Sequence, residues 1–108
     1  MRFDDAMIAW KAIEETSFDS LRRDLIKCAF RYARYRCDWY LADNDERMKM
    51  DENRTITHNA FIDSCNILSR NMMKADEDNE WRALLGDDRK DIGDFACFLV
   101  AILGVKAR

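Results

Sequence analysis

Proline is absent from this chain of 108 residues, and glycine occurs only three times. Sheets with tight hairpins need such residues at their turns, so their scarcity excludes a protein built mainly from hairpins. Apolar residues make up 48% and charged residues 36% of the chain, a mixture typical of a folded helical domain. We therefore predict a single all-α domain over residues 1–108.

Long apolar segments and a net basic charge are also missing. The longest apolar run, Phe95 to Leu103, is much shorter than the span of about 20 residues that a membrane helix needs. The first residues are acidic and contain no apolar segment of a secretory signal. The formal net charge of −3 argues against a general nucleic-acid binder. The sequence predicts a cytoplasmic protein with no membrane partner.

Cysteine and histidine are too few and too scattered to indicate a catalytic or metal site. The four cysteines form no pair at zinc-site spacing, and they lie in apolar stretches where free thiols fill a core. The only histidine, His58, is expected in the first turn of a helix as a polar or capping residue. Signatures of phosphate loops, hydrolases and zinc proteases are absent. We predict no catalytic residue, no metal and no cofactor, and hence a protein that is not an enzyme.

Apolar residues repeat with helical spacing in four segments. The strongest repeat predicts a long helix from residue 18 to about 41, followed by a charged connection over 42–54 with room for one further helical turn. Helices over about 3–15, 55–74 and 88–104, with a short helical turn at 81–85, complete a bundle of four main helices. The apolar stripe of the first helix comprises Phe3, Met7, Trp10 and Ile13. Candidate caps and stops are Ser17, Thr55 or Thr57, Gly86 at the end of the short turn, Asp87 or Asp88, and Gly104.

The last predicted helix carries almost no polar residue between Phe95 and Leu103. A helix that is apolar on every side is not left in water, so either the other helices enclose it or part of it meets a second copy. We expect a protein partner, or self-association as a homodimer, through this helix. The residues assigned to this contact are Phe95, Phe98, Leu99 and Ile102.

A row of basic residues on the second helix is the first candidate binding surface. This basic row consists of Arg23, Lys27, Arg31 and Arg34. Its spacing could follow a phosphate backbone. The segment 75–91 carries seven acidic residues against three basic ones and is an internal candidate to pair with the row instead. Both readings stay open from the sequence.

A row of polar residues on the third helix is the second candidate. This polar stripe consists of Asn59, Asp63, Asn66 and Arg70, at spacings of 4, 3 and 4. Its members could form a ladder of hydrogen bonds in which Asn66 links Asp63 to Arg70, and Arg89 or Asp94 from the last helix could join it. Alternatively the stripe faces solvent, or it binds a partner.

Short stretches of the second half of the chain form a recognisable set. They are His58-Asn59-Ala60-Phe61-Ile62-Asp63, Asn66, Leu68, Arg70, Asp88-Arg89-Lys90 and Ile92-Gly93-Asp94-Phe95-Ala96. In these stretches the chain resembles a family of small bacterial proteins of unknown function. The resemblance covers about half of the chain. It implies a bacterial, cytoplasmic helical domain and brings no activity, cofactor or catalytic residue.

These observations favour a protein-protein interaction or regulatory module without enzymatic activity. A nucleic-acid-associated factor that uses the basic row is the alternative, and a steep loss of affinity with salt would mark it. A third possibility is an enzyme that uses His58 with a cysteine from another helix. It would require one unusually reactive thiol.

Overall fold

A computed structural model describes residues 1–106, with the backbone alone for residues 105 and 106. Five helices follow one another along the chain, and the described residues contain no strand. Their bounds are α1 Phe3–Glu14, α2 Asp19–Leu41, α3 Asn44–Lys74, α4 Glu80–Leu85 and α5 Arg89–Lys106. The predicted all-α bundle of four main helices with a short extra turn is confirmed. None of the described helices is both long and apolar enough to cross a membrane.

Helices α2 and α3 form a hairpin whose connection consists of residues 42 and 43 alone. The predicted connection over 42–54 is therefore wrong, because α3 begins at Asn44. The Asp43 carboxylate caps α3 by accepting the backbone N–H of Glu46 at 2.9 Å. Thr57, predicted as a cap, lies inside the helix and donates its hydroxyl to the carbonyl of Asn53 at 2.8 Å. Thr55 is also inside α3 and caps nothing.

Helix α1 packs mainly against α4 and α5. Two members of its predicted stripe, Trp10 and Ile13, are buried, whereas Phe3 is 43% and Met7 51% exposed. The small residues Ala6 and Ala9 are fully buried instead. Because an alanine carries only a methyl group, these positions let the neighbouring helices approach α1 closely. The buried face of α1 therefore includes the two alanines and leaves Phe3 and Met7 at its exposed edge.

The turns at the two ends of α4 are fixed by polar residues. Ser17, predicted as the cap of α2, instead donates its hydroxyl to the Glu77 carboxylate, which also accepts the Thr16 hydroxyl at 2.6 Å. The predicted stop of the short turn is confirmed, because α4 ends at Gly86 with a φ of 69°. The side chain of Asp88 caps α5 by accepting the backbone N–H of Asp91 at 3.0 Å.

Helix α5 lies within the core of its own chain. Phe95 and Leu99 are fully buried and Ile102 is 7% exposed, while Phe98 packs edge-on against Phe3 with ring centroids 5.4 Å apart. Between Phe95 and Leu103, only Ala101 is exposed. The other helices thus enclose the last helix, and self-association through it has no support in this structure. The helix also continues past Gly104, which was predicted to stop it.

Candidate functional site

A cleft of about 410 Å³ opens where α2, α3 and the beginning of α5 meet. It takes one wall from each helix, and we call it the basic cleft. Four of its lining residues are cationic, three carry a hydroxyl group, and one is histidine. They are Tyr32, Arg36, Tyr40, Arg54, Thr55, His58, Arg89 and Lys90. No Asp or Glu of the described residues lines the cleft, so its lining is strongly positive.

The α2 wall consists of Tyr32, Arg36 and Tyr40, which lie four residues apart and therefore on one helix face. Gly93 of α5 makes room for this wall. A Cβ atom at position 93 would lie 2.9 Å from the Tyr32 hydroxyl oxygen and 3.3 Å from Nη1 of Arg36. The absence of a side chain at this position lets α5 approach α2 closely enough to close the cleft on that side.

His58 forms part of the floor of the cleft. Its ring is 6% exposed and lies against the Tyr32 ring, with centroids 4.7 Å apart. Nε2 is 2.9 Å from the backbone carbonyl oxygen of Arg89. Because a carbonyl only accepts hydrogen bonds, Nε2 must donate its proton. The prediction that His58 caps the first turn of its helix is wrong, since it lies in the middle of α3 and anchors α5.

The surroundings of His58 keep it uncharged. Burial lowers the pKa of the imidazole, and the positive charges of Arg89, Arg54 and Arg36 lower it further. The hydrogen bond to the Arg89 carbonyl acts in the opposite direction and is weaker than the effect of burial. His58 therefore contributes a hydrogen-bond donor and an apolar ring surface at neutral pH, and no positive charge.

Arg36 and Lys90 share one carboxylate, which lies behind the lining of the cleft. Nη2 of Arg36 donates to Oδ1 of Asp94 at 2.7 Å, and Nζ of Lys90 lies 3.8 Å from Oδ2. Burial alone would lower the pKa of Arg36, but its hydrogen bonds to Asp94 and Tyr40 raise it above its ordinary value. The guanidinium is therefore fixed in place and permanently charged.

The other two arginines of the cleft have no carboxylate partner in the part of the chain that the structure describes. The guanidinium of Arg54 lies over the Trp39 ring, 4.4 Å from its centroid, and its buried Nε atom has no hydrogen-bond partner. Arg89 donates from Nη2 to the side-chain oxygen of Asn59 at 3.0 Å. Two charges of the lining are thus held by neutral groups, and the cleft carries a positive excess.

Trp39 positions Arg54 and also closes the end of the hairpin. Arg47, one further residue of α3, stacks on the same ring at 4.3 Å and donates from Nε to the Trp39 carbonyl at 2.9 Å. The indole N–H donates to Oδ1 of Asp51 at 3.0 Å. Since cation–π contacts act on both arginines, the ring holds the amino-terminal part of α3 against α2.

The basic row lies elsewhere on α2 and shares no residue with the basic cleft. All four of its side chains, Arg23, Lys27, Arg31 and Arg34, are exposed. Arg23 is paired with Asp19, while the other three have no ion pair among the described residues. The acidic segment 75–91 does not cover the row. Glu77 binds the turn before α2, and Asp91 accepts the amino group of Met1 at 2.7 Å.

The polar stripe does not form the predicted ladder. Asn59 accepts from Arg89, as one version of the prediction had it, and the side-chain oxygen of Asn66 accepts from Nε of Arg82 at 2.8 Å. Asp63 and Arg70 are exposed and are not linked through Asn66. Arginines from α4 and α5 thus occupy the side-chain oxygens of the two asparagines that the ladder would have used. Asp94, the other expected member, pairs with Arg36 instead.

The cysteines occupy different environments. Cys65 is fully buried, and burial raises the pKa of its thiol to about 12. Burial also raises the pKa of the half-buried Cys97. Cys37 is exposed rather than part of the core, and Cys28 is half-buried. Within the described residues, no cluster of three or more His, Cys, Asp or Glu side chains could hold a metal ion.

Sequence reasoning missed the principal residues of the cleft, namely Tyr32, Arg36, Tyr40 and Arg54. The repeat of aromatic and arginine residues every four positions on α2 is the signal that could have found the first wall. Arg54 lay in the supposed connection, so it had no helix face to be assigned to. The floor at His58 and the wall from α5 are distant from α2 in the sequence. Only the three-dimensional fold shows that they meet at one cleft.

Comparison of the chain with protein-family models, with curated proteins and with solved structures found no match. The resemblance in the second half of the chain therefore stays a prediction. Several residues that carry it have structural roles here: His58 and Asn59 hold Arg89, and Asn66 holds Arg82.

Proposed function

We propose that this protein is a non-enzymatic binding module that holds an acidic segment of a partner protein in the basic cleft. The observation that carries the proposal is the charge of the cleft lining, which has four cations and, among the described residues, no acidic one. Arginines at a partly desolvated site bind carboxylates and other oxyanions strongly, because they offer several N–H donors in a fixed geometry.

The chemistry of the potential nucleophiles supports binding rather than catalysis. His58 uses its Nε2 proton to hold the Arg89 carbonyl, so this nitrogen is committed to the fold. The raised pKa of Cys65 keeps its thiol protonated and unreactive at neutral pH. All four thiols are free, which supports a cytoplasmic, reducing location for the module.

The partner in this proposal is a different protein and not a second copy docked on α5. Phe95 and Leu99 are inaccessible without opening the core. We therefore expect a monomer of 12.8 kDa by light scattering over a range of protein concentrations. A dimer that persists on dilution would restore the homodimer expected from the sequence.

A direct test is the calorimetric titration of the full chain with a capped polyglutamate peptide. Binding should weaken as salt rises from low to about physiological ionic strength, since surface charges are then screened. The double variant Arg54→Gln with Arg89→Gln should lose most of the binding. The matched control, Arg31→Gln with Arg34→Gln, removes the same charge from the basic row and should bind almost as the parent does.

The control also weighs a second candidate, a nucleic-acid-associated factor that uses the basic row. Its support is that Lys27, Arg31 and Arg34 are exposed and have no ion pair in the described part of the chain. A short single-stranded oligonucleotide is the probe. Steeply salt-dependent binding that is lost in the row variant and kept in the cleft variant would favour this candidate over the proposed one.

A further inference from the structure

We infer that the basic cleft recognises a phosphate monoester on the partner segment, rather than a carboxylate alone. The inference rests on the proposed function and names the chemical group that the cleft selects. The shared chemistry is a phosphate with one ester bond, which a phosphorylated side chain or a free nucleotide could supply. We assign it to a phosphorylated polypeptide.

The balance of charge at the cleft favours a dianion. Of the four cations in the lining, Arg36 and Lys90 lie within ion-pair distance of Asp94, and this single carboxylate cannot neutralise both. Among the described residues, neither Arg54 nor Arg89 has an acidic partner. A phosphate monoester carries a charge of about −1.5 to −2 at neutral pH, whereas a glutamate carries only one negative charge. The phosphate therefore matches the excess of the cleft more closely.

The arrangement of donors points in the same direction. The lining offers guanidinium groups from α3 and α5 and hydroxyl groups of Tyr32, Tyr40 and Thr55 from α2 and α3. A phosphate ester has three terminal oxygens that point in different directions, so it can accept hydrogen bonds from several walls at once. A carboxylate has two oxygens in one plane and satisfies fewer of these donors.

Arg54 lines the cleft with a guanidinium that no acidic side chain among the described residues neutralises. Its Nε atom is buried, so an anion in the cleft would meet the terminal nitrogens of the guanidinium. The Trp39 ring fixes the plane of the guanidinium next to the cleft. Because the side chain is already held in place, little rotamer entropy is lost when an anion binds.

The size of the cleft suits a phosphorylated side chain with part of its backbone. At about 410 Å³ it falls within the range of pockets that hold small ligands, and it is much larger than a phosphate group needs. The remaining space borders Tyr40, an exposed aromatic residue. A residue next to the phosphorylated position can therefore contact this ring.

The test compares three peptides that differ at one central position, which holds phosphoserine, glutamate or serine in a neutral glycine- and alanine-rich frame. Calorimetry measures the affinity of the full chain for each peptide. The phosphoserine peptide should bind at least about tenfold more tightly than the glutamate peptide, because it adds charge-assisted hydrogen bonds. Inorganic phosphate should compete with it. Arg54→Gln should reduce its affinity by about tenfold or more, and Arg54→Lys, which keeps the charge, should restore part of it.

Each outcome separates the two levels of the proposal. Equal affinity for the phosphoserine and glutamate peptides, lost in the Arg54 and Arg89 variant, would overturn the phosphate inference and leave the proposed function standing. No binding of either peptide would overturn the phosphate inference, and the further absence of binding to the polyglutamate peptide would overturn the proposed function as well. Adenosine monophosphate serves as a further arm. If it binds more tightly than the phosphoserine peptide, the assignment to a polypeptide is wrong. Far-ultraviolet circular dichroism of each variant shows whether it is folded.

Discussion

The two halves of α3 differ sharply although they belong to one continuous helix. The core half, Thr57–Lys74, contains every buried residue of α3, among them Phe61 and Leu68. The charged half, Asn44–Ile56, contains no fully buried residue and extends along α2 beyond the core. A helix can thus be stabilised in two ways: by burial of apolar side chains, or by a cap and the stacking of charged side chains on one aromatic ring.

The charged half nevertheless continues the inward stripe of the core half. Its three half-buried residues are Arg47, Met50 and Arg54, at spacings of 3 and 4. The arginine side chains pack their apolar stems inward while their charged ends stay near water. Arginine can therefore occupy the inner face of a helix where an aromatic ring packs against its guanidinium.

The largest expected effect is a difference in the free energy of unfolding between a substitution in the core half and one in the charged half. Phe61→Ala should lower the free energy of unfolding by about 3 to 5 kcal/mol, because a fully buried ring beside Phe95 is removed. Met48→Ala, at a side chain that is 76% exposed, should change it by less than about 0.5 kcal/mol. Urea denaturation of the two variants measures both values. Similar losses would erase the distinction between the halves.

A second prediction concerns the wall that joins the cleft to α5. Gly93→Ala should lower the free energy of unfolding by about 1 to 3 kcal/mol, since the new methyl group would collide with Tyr32. Gly104→Ala is the matched control in the same helix. It meets nothing within 4 Å and should stabilise the chain by up to about 1 kcal/mol through helix propensity. If both variants are stabilised, the close approach of α5 and α2 is not tight.

A third prediction tests the stacking that holds the charged half. Trp39→Ala should cost about 1 to 2 kcal/mol, because two cation–π contacts at a half-exposed ring are lost. Amide hydrogen exchange should accelerate in the charged half and stay nearly unchanged in the core half. Leu41→Ala, at an 83% exposed neighbouring position, is the control. Uniform acceleration along α3 would show that the ring supports the whole helix instead.

The smallest effect lies at the junction of the halves and depends on pH. Because burial lowers the pKa of His58 in the folded chain below its ordinary value of 6.5, the unfolded chain binds this proton more tightly. The stability contributed by neutral His58 is therefore complete above about pH 6.5 and is lost as the pH falls through the folded pKa. His58→Gln, which does not titrate, should lose less stability than the parent between about pH 7.5 and 5. Parallel curves in urea denaturation would contradict this.

The fold was largely predictable where apolar periodicity is strong. The apolar repeat around Leu25 and Tyr32 predicted α2. The glycine at position 86 marked the end of α4, and the cap at Asp88 marked the beginning of α5. The charged half of α3 was not predictable in this way, because its inner face consists of arginine stems and a methionine. Whether α5 lay inside the chain or between copies depended on which surfaces met, and local spacing does not encode that.

The site was much less predictable than the fold. The basic row was visible because four cations lie on one helix, whereas the basic cleft takes Arg36, Arg54 and Arg89 from three helices. Each of these three helices contributes one arginine to the lining. Their convergence depends on the hairpin of α2 and α3, and on the anchoring of α5 by His58.

The placement of α1 against α4 and α5 has a consequence for the order in which the chain folds. The α2–α3 hairpin closes over a two-residue connection, whereas α1 must wait for helices that begin at Glu80 and Arg89. During synthesis, α1 therefore emerges from the ribosome long before its partners exist. We expect Ile13→Val in α1 to accelerate unfolding and leave the refolding rate nearly unchanged in stopped-flow experiments, and slower refolding would reverse this order.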